Sequence, residues 1–120
     1  MAAQTAIEKK ALSGSTNGKP IKVVATATTG TTIHTAQASS TNGFDEVWLW
    51  AYNSDTSARL LTIEFGGVSA PDQNIKVTIP AQAGLVLVCP GLIIQNSLVV
   101  TAFASAANVV TLSGYVNSMS

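Results

Sequence analysis

From Pro20 onward the chain is written in short runs of Val, Ile, Thr and aromatic residues, broken every few positions by Gly, Asn, Asp, Ser or Pro. No stretch there holds apolar residues at the three- and four-residue spacing of an amphipathic helix, so the pattern calls for strands and turns. The predicted strands are Ile21–Thr28, Thr31–Ala38, Phe44–Tyr52, Ala58–Phe65, Asn74–Ile79, Leu85–Cys89, Leu92–Gln95, Leu98–Ala104 and Val109–Asn117. The breaks between them have physical causes. Thr29-Gly30 and Asn42-Gly43 supply residues that tolerate positive φ. Asn53 to Thr56 is a run of side chains that bond their own backbone in turns. Pro80 and Pro90 have no N–H to give to a ladder and are expected to end strands.

Alternation assigns faces. In Asn74–Ile79, Ile75, Val77 and Ile79 point one way and Lys76 and Thr78 the other, as in a strand with one buried and one wet face. Leu61, Ile63 and Phe65 make a similar inward row, with Thr62 and Glu64 expected outward. The segment Val47–Tyr52 is apolar on both faces. Val47, Leu49 and Ala51 suit a core, which sends Trp48, Trp50 and Tyr52 to the opposite side. Three readings are open for that aromatic row: core of a second layer, subunit interface, or carbohydrate platform.

Nine short strands in about a hundred residues predict an all-β fold, a β-sandwich of jelly-roll-like type, with a closed barrel as the next choice. The predicted organisation is an N-terminal arm over residues 1–19 and a single sandwich domain over residues 20–120. The arm differs in composition: it holds Lys9, Lys10 and Lys19, three of the six basic residues, and the small polar run Ser13–Gly18. An extended or loosely helical arm fits this, either frayed or ordered by a neighbouring subunit. Its large apolar side chains Ile7 and Leu12 join Trp48, Trp50 and Tyr52 as candidate interface residues.

A chain of 120 residues is one domain's length and folds without a metal or disulfide. Only 10% of the residues are charged, against about 25% in an average domain. The six basic and six acidic residues cancel. That balance argues against nucleic acid, whose phosphates demand a basic surplus, and against docking on an anionic membrane. It leaves little charge repulsion between copies, as suits a subunit that lives in an assembly. Residues 1–10 hold no continuous apolar core of a signal peptide, and no apolar run reaches the ~18 residues of a membrane span, so a soluble chain is expected.

Little in the chain points to chemistry. His34 is the only histidine, in mid-strand, and no nucleophile-elbow spacing accompanies it; the expectation is a strand histidine, partly exposed or bonded to a neighbour. One His and one Cys do not make a zinc site, and Asp45-Glu46 lacks a spaced set of oxygen ligands for calcium, so that pair is expected in solvent at a strand start. Cys89, the one cysteine, ends an apolar run and reads as a buried, inert thiol. No catalytic, metal or cofactor site is predicted.

Longer strings carry a resemblance. ALSGSTNGKPIKV at Ala11 to Val23 is followed by TTIHTA at Thr31 to Ala36, then by WLWAYNSDTSA, LTIEFGG, VTIPAQAGLVLV and, from Val99 to Asn117, VVTAFASAANVVTLSGYVN. Together they resemble the small structural proteins of tailed-bacteriophage particles described as capsid decoration or cement proteins. The resemblance implies a β-sandwich subunit, often a homotrimer, made in the bacterial host cytoplasm and seated on the outer surface of the major capsid protein shell in the virion. Related sandwiches serve as tail, fibre or head-tail connector subunits, and a carbohydrate-binding module is the alternative from another class. The family has no catalytic residues to transfer.

Overall fold

The computed structural model describes residues 7–120, and all of the regular structure there is strand. In chain order the strands are β1 (Ile7–Ala11), β2 (Ile21–Lys22), β3 (Thr31–Thr35), β4 (Phe44–Asn53), β5 (Arg59–Phe65), β6 (Asn74–Ile79), β7 (Val86–Ile94), β8 (Val99–Ala104) and β9 (Val110–Met119). They build two antiparallel sheets. One runs β1-β9-β4-β7 with β2 also on β9, and the other runs β3-β8-β5-β6.

The ladders nest. β1 and β2 pair with β9, β3 with β8, β4 with β7, and β5 with β6. The chain therefore doubles back as one long hairpin whose tip lies between β5 and β6. Two further ladders, β4 with β9 and β5 with β8, roll that hairpin into two layers. Between the layers lies one apolar core, as in a β-sandwich. Val47, Leu49 and Ala51 of β4 are fully buried there, in one cluster with Ile33, Leu61 and Ile63 of the other sheet. Each such large side chain contributes roughly 1.5–3 kcal/mol by leaving water.

β9 approaches β4 very closely. A Cβ at Gly114 would lie 1.9 Å from the main-chain oxygen of Trp48, so only glycine fits at that point of the ladder.

Several expectations need correction. The strand expected over Ile21–Thr28 is only Ile21–Lys22. Val23 N–H still donates to the Val110 carbonyl of β9 at 2.9 Å, but beyond it Val24 and Ala25 donate their N–H groups to the Thr31 hydroxyl oxygen, at 3.1 Å each. Leu85–Cys89 and Leu92–Gln95 are one strand, β7, which passes through Pro90. This is tolerated because β7 is an edge strand with register shifts on either side of Trp48, so the missing N–H costs no interior ladder bond.

The arm is the largest correction. Residues 1–6 of it lie outside the described residues. Residues 7–11 are a strand, β1, paired with β9 from Met119 back to Tyr115. The chain then leaves β9, crosses to β3, and returns to β9 as β2 opposite Leu112 and Thr111. On this excursion Gly14 N–H donates to the Ile33 carbonyl at 2.9 Å, and the Ser13 hydroxyl accepts from Thr35 N–H at 2.7 Å. Leu12, expected at an interface, is 2% exposed and belongs to the core. The composition break at Pro20 is real, but main-chain bonds and one deeply buried leucine lay this segment on its own domain.

Leu12→Ala is thus expected to lower the unfolding free energy by about 2–4 kcal/mol, the usual cost of a cavity at a buried leucine. Ile7→Ala, at a position 62% exposed, is expected to change it by less than about 0.5 kcal/mol. Urea denaturation of the isolated chain checks both, because a leucine that served only a neighbouring subunit would leave that curve unmoved.

Candidate interaction surface

Alternation along β4 is complete: Asp45, Val47, Leu49, Ala51 and Asn53 are buried, while Phe44, Glu46, Trp48, Trp50 and Tyr52 are half-buried on the outer face of the five-stranded sheet. The predicted aromatic row therefore stands outside the core. Trp48 and Trp50 have ring centroids 6.2 Å apart and planes within 19°. Across the ladder Tyr115 of β9, opposite Trp48 in register, lies 6.0 Å from Trp50 at 32°. Lys9 of β1 places its ammonium 4.5 Å from the Tyr115 ring centre, a cation–π distance.

The neighbouring strands extend this face. β7 sets Leu87 opposite Trp50 and Ile93 opposite Glu46, and both are exposed, at 46% and 60%. At the far end Ile7, Phe44 and Met119 line one shallow hollow with Glu46 and Asn117. Ile7 thus joins the surface that holds the tryptophans, whereas Leu12 does not. The Trp48 ring lies over Gly91, where an added Cβ would meet ring carbon Cζ2 at 2.8 Å. Its indole N–H donates to Glu46 Oε1 at 2.8 Å, and Asn117 Nδ2 donates to the same oxygen at 2.9 Å. These bonds, Asn117's above all, hold the Glu46 carboxyl below its ordinary range. The acid fixes an indole in place and keeps one negative charge on a face that also carries the Lys9 ammonium and the Asn117 amide.

Two polar clusters lie elsewhere. Asp45, expected in solvent, is 4% exposed. Its Oδ2 lies 2.7 Å from His34 Nε2, and its Oδ1 accepts from the Ser118 hydroxyl at 2.8 Å and from Gln37 Nε2 at 3.1 Å. Burial raises the Asp45 carboxyl, but the bonds from His34, Ser118 and Gln37 outweigh it and bring the group below its ordinary value. The second ring nitrogen, Nδ1, accepts the backbone N–H of Ser13 at 3.0 Å. Neither ring nitrogen is left to take a proton from a serine hydroxyl, and the pair acts as a tie between three strands and the N-terminal segment.

Glu64 keeps the outward facing expected from alternation, yet it is 1% exposed. The loop before β3 folds over it. The Thr101 hydroxyl and the Gly30 N–H donate to its Oε1 at 2.5 and 2.7 Å, and the Thr28 hydroxyl donates to Oε2. Burial raises this carboxyl too, and the three donors more than offset it. Sequence reasoning missed both clusters because the partners stand far apart along the chain: Ser118 is 73 positions from Asp45, and Thr101 is 37 from Glu64. Cys89 is fully buried, as its apolar run predicts, and burial pushes its thiol up. Among the described residues no three of His, Cys, Asp and Glu converge as a metal site would require.

The chain matches no protein-family model, no curated protein and no solved structure.

Glu64 and Asp45 have depressed folded-state values, so their contribution to stability is present above the unfolded carboxyl range and is lost as the pH falls through the folded values. Glu64→Gln is expected to cost about 2 kcal/mol at neutral pH, the scale of hydrogen bonds to a charged group. It is also expected to flatten the decline in stability below about pH 4 that the wild-type chain undergoes. Denaturant titrations at several pH values measure both effects.

Proposed function

We propose that this chain is a structural subunit of a tailed-bacteriophage particle, a capsid decoration or cement protein that assembles with its own copies, as a homotrimer, and binds the outer surface of the major capsid protein shell. The observation that carries the reading is the outer face of the five-stranded sheet. An antiparallel sheet ordinarily turns polar residues to water on its free face. Here that face holds Trp48, Trp50, Tyr52 and Tyr115, flanked by Leu87 and Ile93. Aromatic and aliphatic side chains grouped on a free sheet face favour an interaction site, and Trp and Tyr are among the residues that most often dominate binding energy. With 10% charged residues and no net charge, the chain has little repulsion to oppose association.

The strand order supports the finer fold reading. Taking β1 and β2 as one interrupted strand, the nested pairs roll up as those of a jelly roll, the architecture of many viral capsid domains and of lectins. The resemblance of the strings from Ala11 to Asn117 points to the capsid among these uses. In this role small favourable terms are repeated over many copies, and each copy needs only modest apolar burial to brace a shell.

Shells assembled from the major capsid protein alone, mixed with the purified chain, are expected to take it up in proportion to capsid subunits and to withstand higher temperature. Trp50→Ala is expected to weaken that uptake by about 2 kcal/mol while leaving the unfolding midpoint near the wild-type value. Recovery of the chain only with tails or at the head-tail joint would replace decoration by the tail or connector role. Glycan binding that disappears in Trp50→Ala would replace it by a carbohydrate module.

A further inference from the structure

His34 lies in β3 with 4% of its surface exposed. Its Nδ1 sits 3.0 Å from the backbone nitrogen of Ser13, and its Nε2 sits 2.7 Å from Asp45 Oδ2. A backbone amide can only donate, so Nδ1 must be bare. The ring's one proton is therefore on Nε2, donated to the Asp45 carboxylate. The main chain of the N-terminal segment thus selects the tautomer.

We propose that this ring is a proton-operated latch for the N-terminal segment: proton uptake at Nδ1 expels the Ser13 amide and loosens the hold of residues 7–13 on β3 and β9. An imidazolium carries N–H at both positions, which sets two donors against each other across the space that one hydrogen bond filled. The ring's neighbours come from β4, β8, β9, the stretch after β3 and the N-terminal segment. Asp45 on β4 is the titratable and charged group facing it, and its charge attracts the imidazolium. From β9 comes Ser118, whose hydroxyl is committed to Asp45; Gln37, after β3, donates its amide to the same carboxylate. β8 offers Val100, opposite His34 in register. The N-terminal segment offers Ser13 alone, whose hydroxyl oxygen already accepts from Thr35 N–H.

What the latch holds is an edge segment. All five side chains of β1 are exposed, so β1 stays on β9 by main-chain bonds, by the contact of Lys9 with the Tyr115 ring and by the anchorage of Leu12 to Gly14 behind it. Weakening that anchorage lets the edge of β9 from Tyr115 to Met119 open more often to another strand.

Amide hydrogen exchange read by mass spectrometry tests this on the intact chain, at steps from about pH 7.5 to 4.5, with each rate divided by the unstructured rate at the same pH. Ring protonation is followed on the same samples by nitrogen NMR. Protection of residues 7–15 is expected to fall by on the order of tenfold, the equivalent of one ordinary hydrogen bond, in step with ring protonation. The β4–β9 ladder is expected to keep its protection. In His34→Gln, which has no ring to titrate, the step is expected to vanish. The proposal is overturned if the wild-type ring protonates while residues 7–15 stay protected, if the ring remains neutral throughout the range, or if protection there is lost only together with the whole domain. A persisting step in His34→Gln overturns it as well. Should that variant fail to fold, the wild-type comparison of ring and segment decides alone.

Discussion

The pairing of β4 with β9 over the full length of both strands is the constraint from which the rest of the domain follows. Ten consecutive partners, from Phe44 opposite Met119 to Asn53 opposite Val110, lock the two strands in one register. Because side chains alternate, that single register sends Val47, Leu49 and Ala51 inward with Leu112 and Val116, and sends both tryptophans outward with Tyr115. A slip of one residue would exchange the core for the aromatic face. Gly114 stands where such a slip would be felt, since the Trp48 carbonyl occupies the space any larger residue would need.

On this frame each sheet has a different outer surface. The four-stranded sheet carries Glu64 on its outer side and covers it with the loop before β3, tied down by three donors. The five-stranded sheet leaves its aromatic row half-buried. A buried carboxylate with a full set of donors makes a rigid but inert surface. An open aromatic row in a fixed conformation loses little entropy on contact, which favours recognition by shape and apolar area. On the proposed function, contact falls to the five-stranded sheet and bracing to the other.

How much of this could be read from the sequence varied with how local the cause was. Asn74–Ile79 was legible to the residue, because its alternation is clean and both ends are marked. The two-faced character of Val47–Tyr52 was legible too, and it gave the aromatic row its correct side. Pro90 misled because a proline's effect depends on whether its strand lies at an edge, which is a property of the whole sheet. Leu12 misled because a lone leucine in a polar, glycine-containing stretch has no periodicity to declare its burial. For Asp45 and Glu64 the alternation gave a facing and nothing about what lies above it; their partners are brought in by the roll of the two sheets. The aromatic row was thus visible as a feature, while its flanks, Leu87, Ile93 and Tyr115, became part of one surface only through strand order.

The register at the end of β9 has a practical consequence. Ile7 lies opposite Met119, and Met119 lies opposite Phe44, so these three residues meet at one corner of the sheet, with neighbours about one strand spacing (~5 Å) apart. Reporter groups attached at Ile7 and at Met119 would sit at that same corner, beside Phe44. The opposite end of the aromatic row, around Tyr52 and Leu87, would stay clear of them. Their separation would thus read directly whether β1 keeps its place on β9.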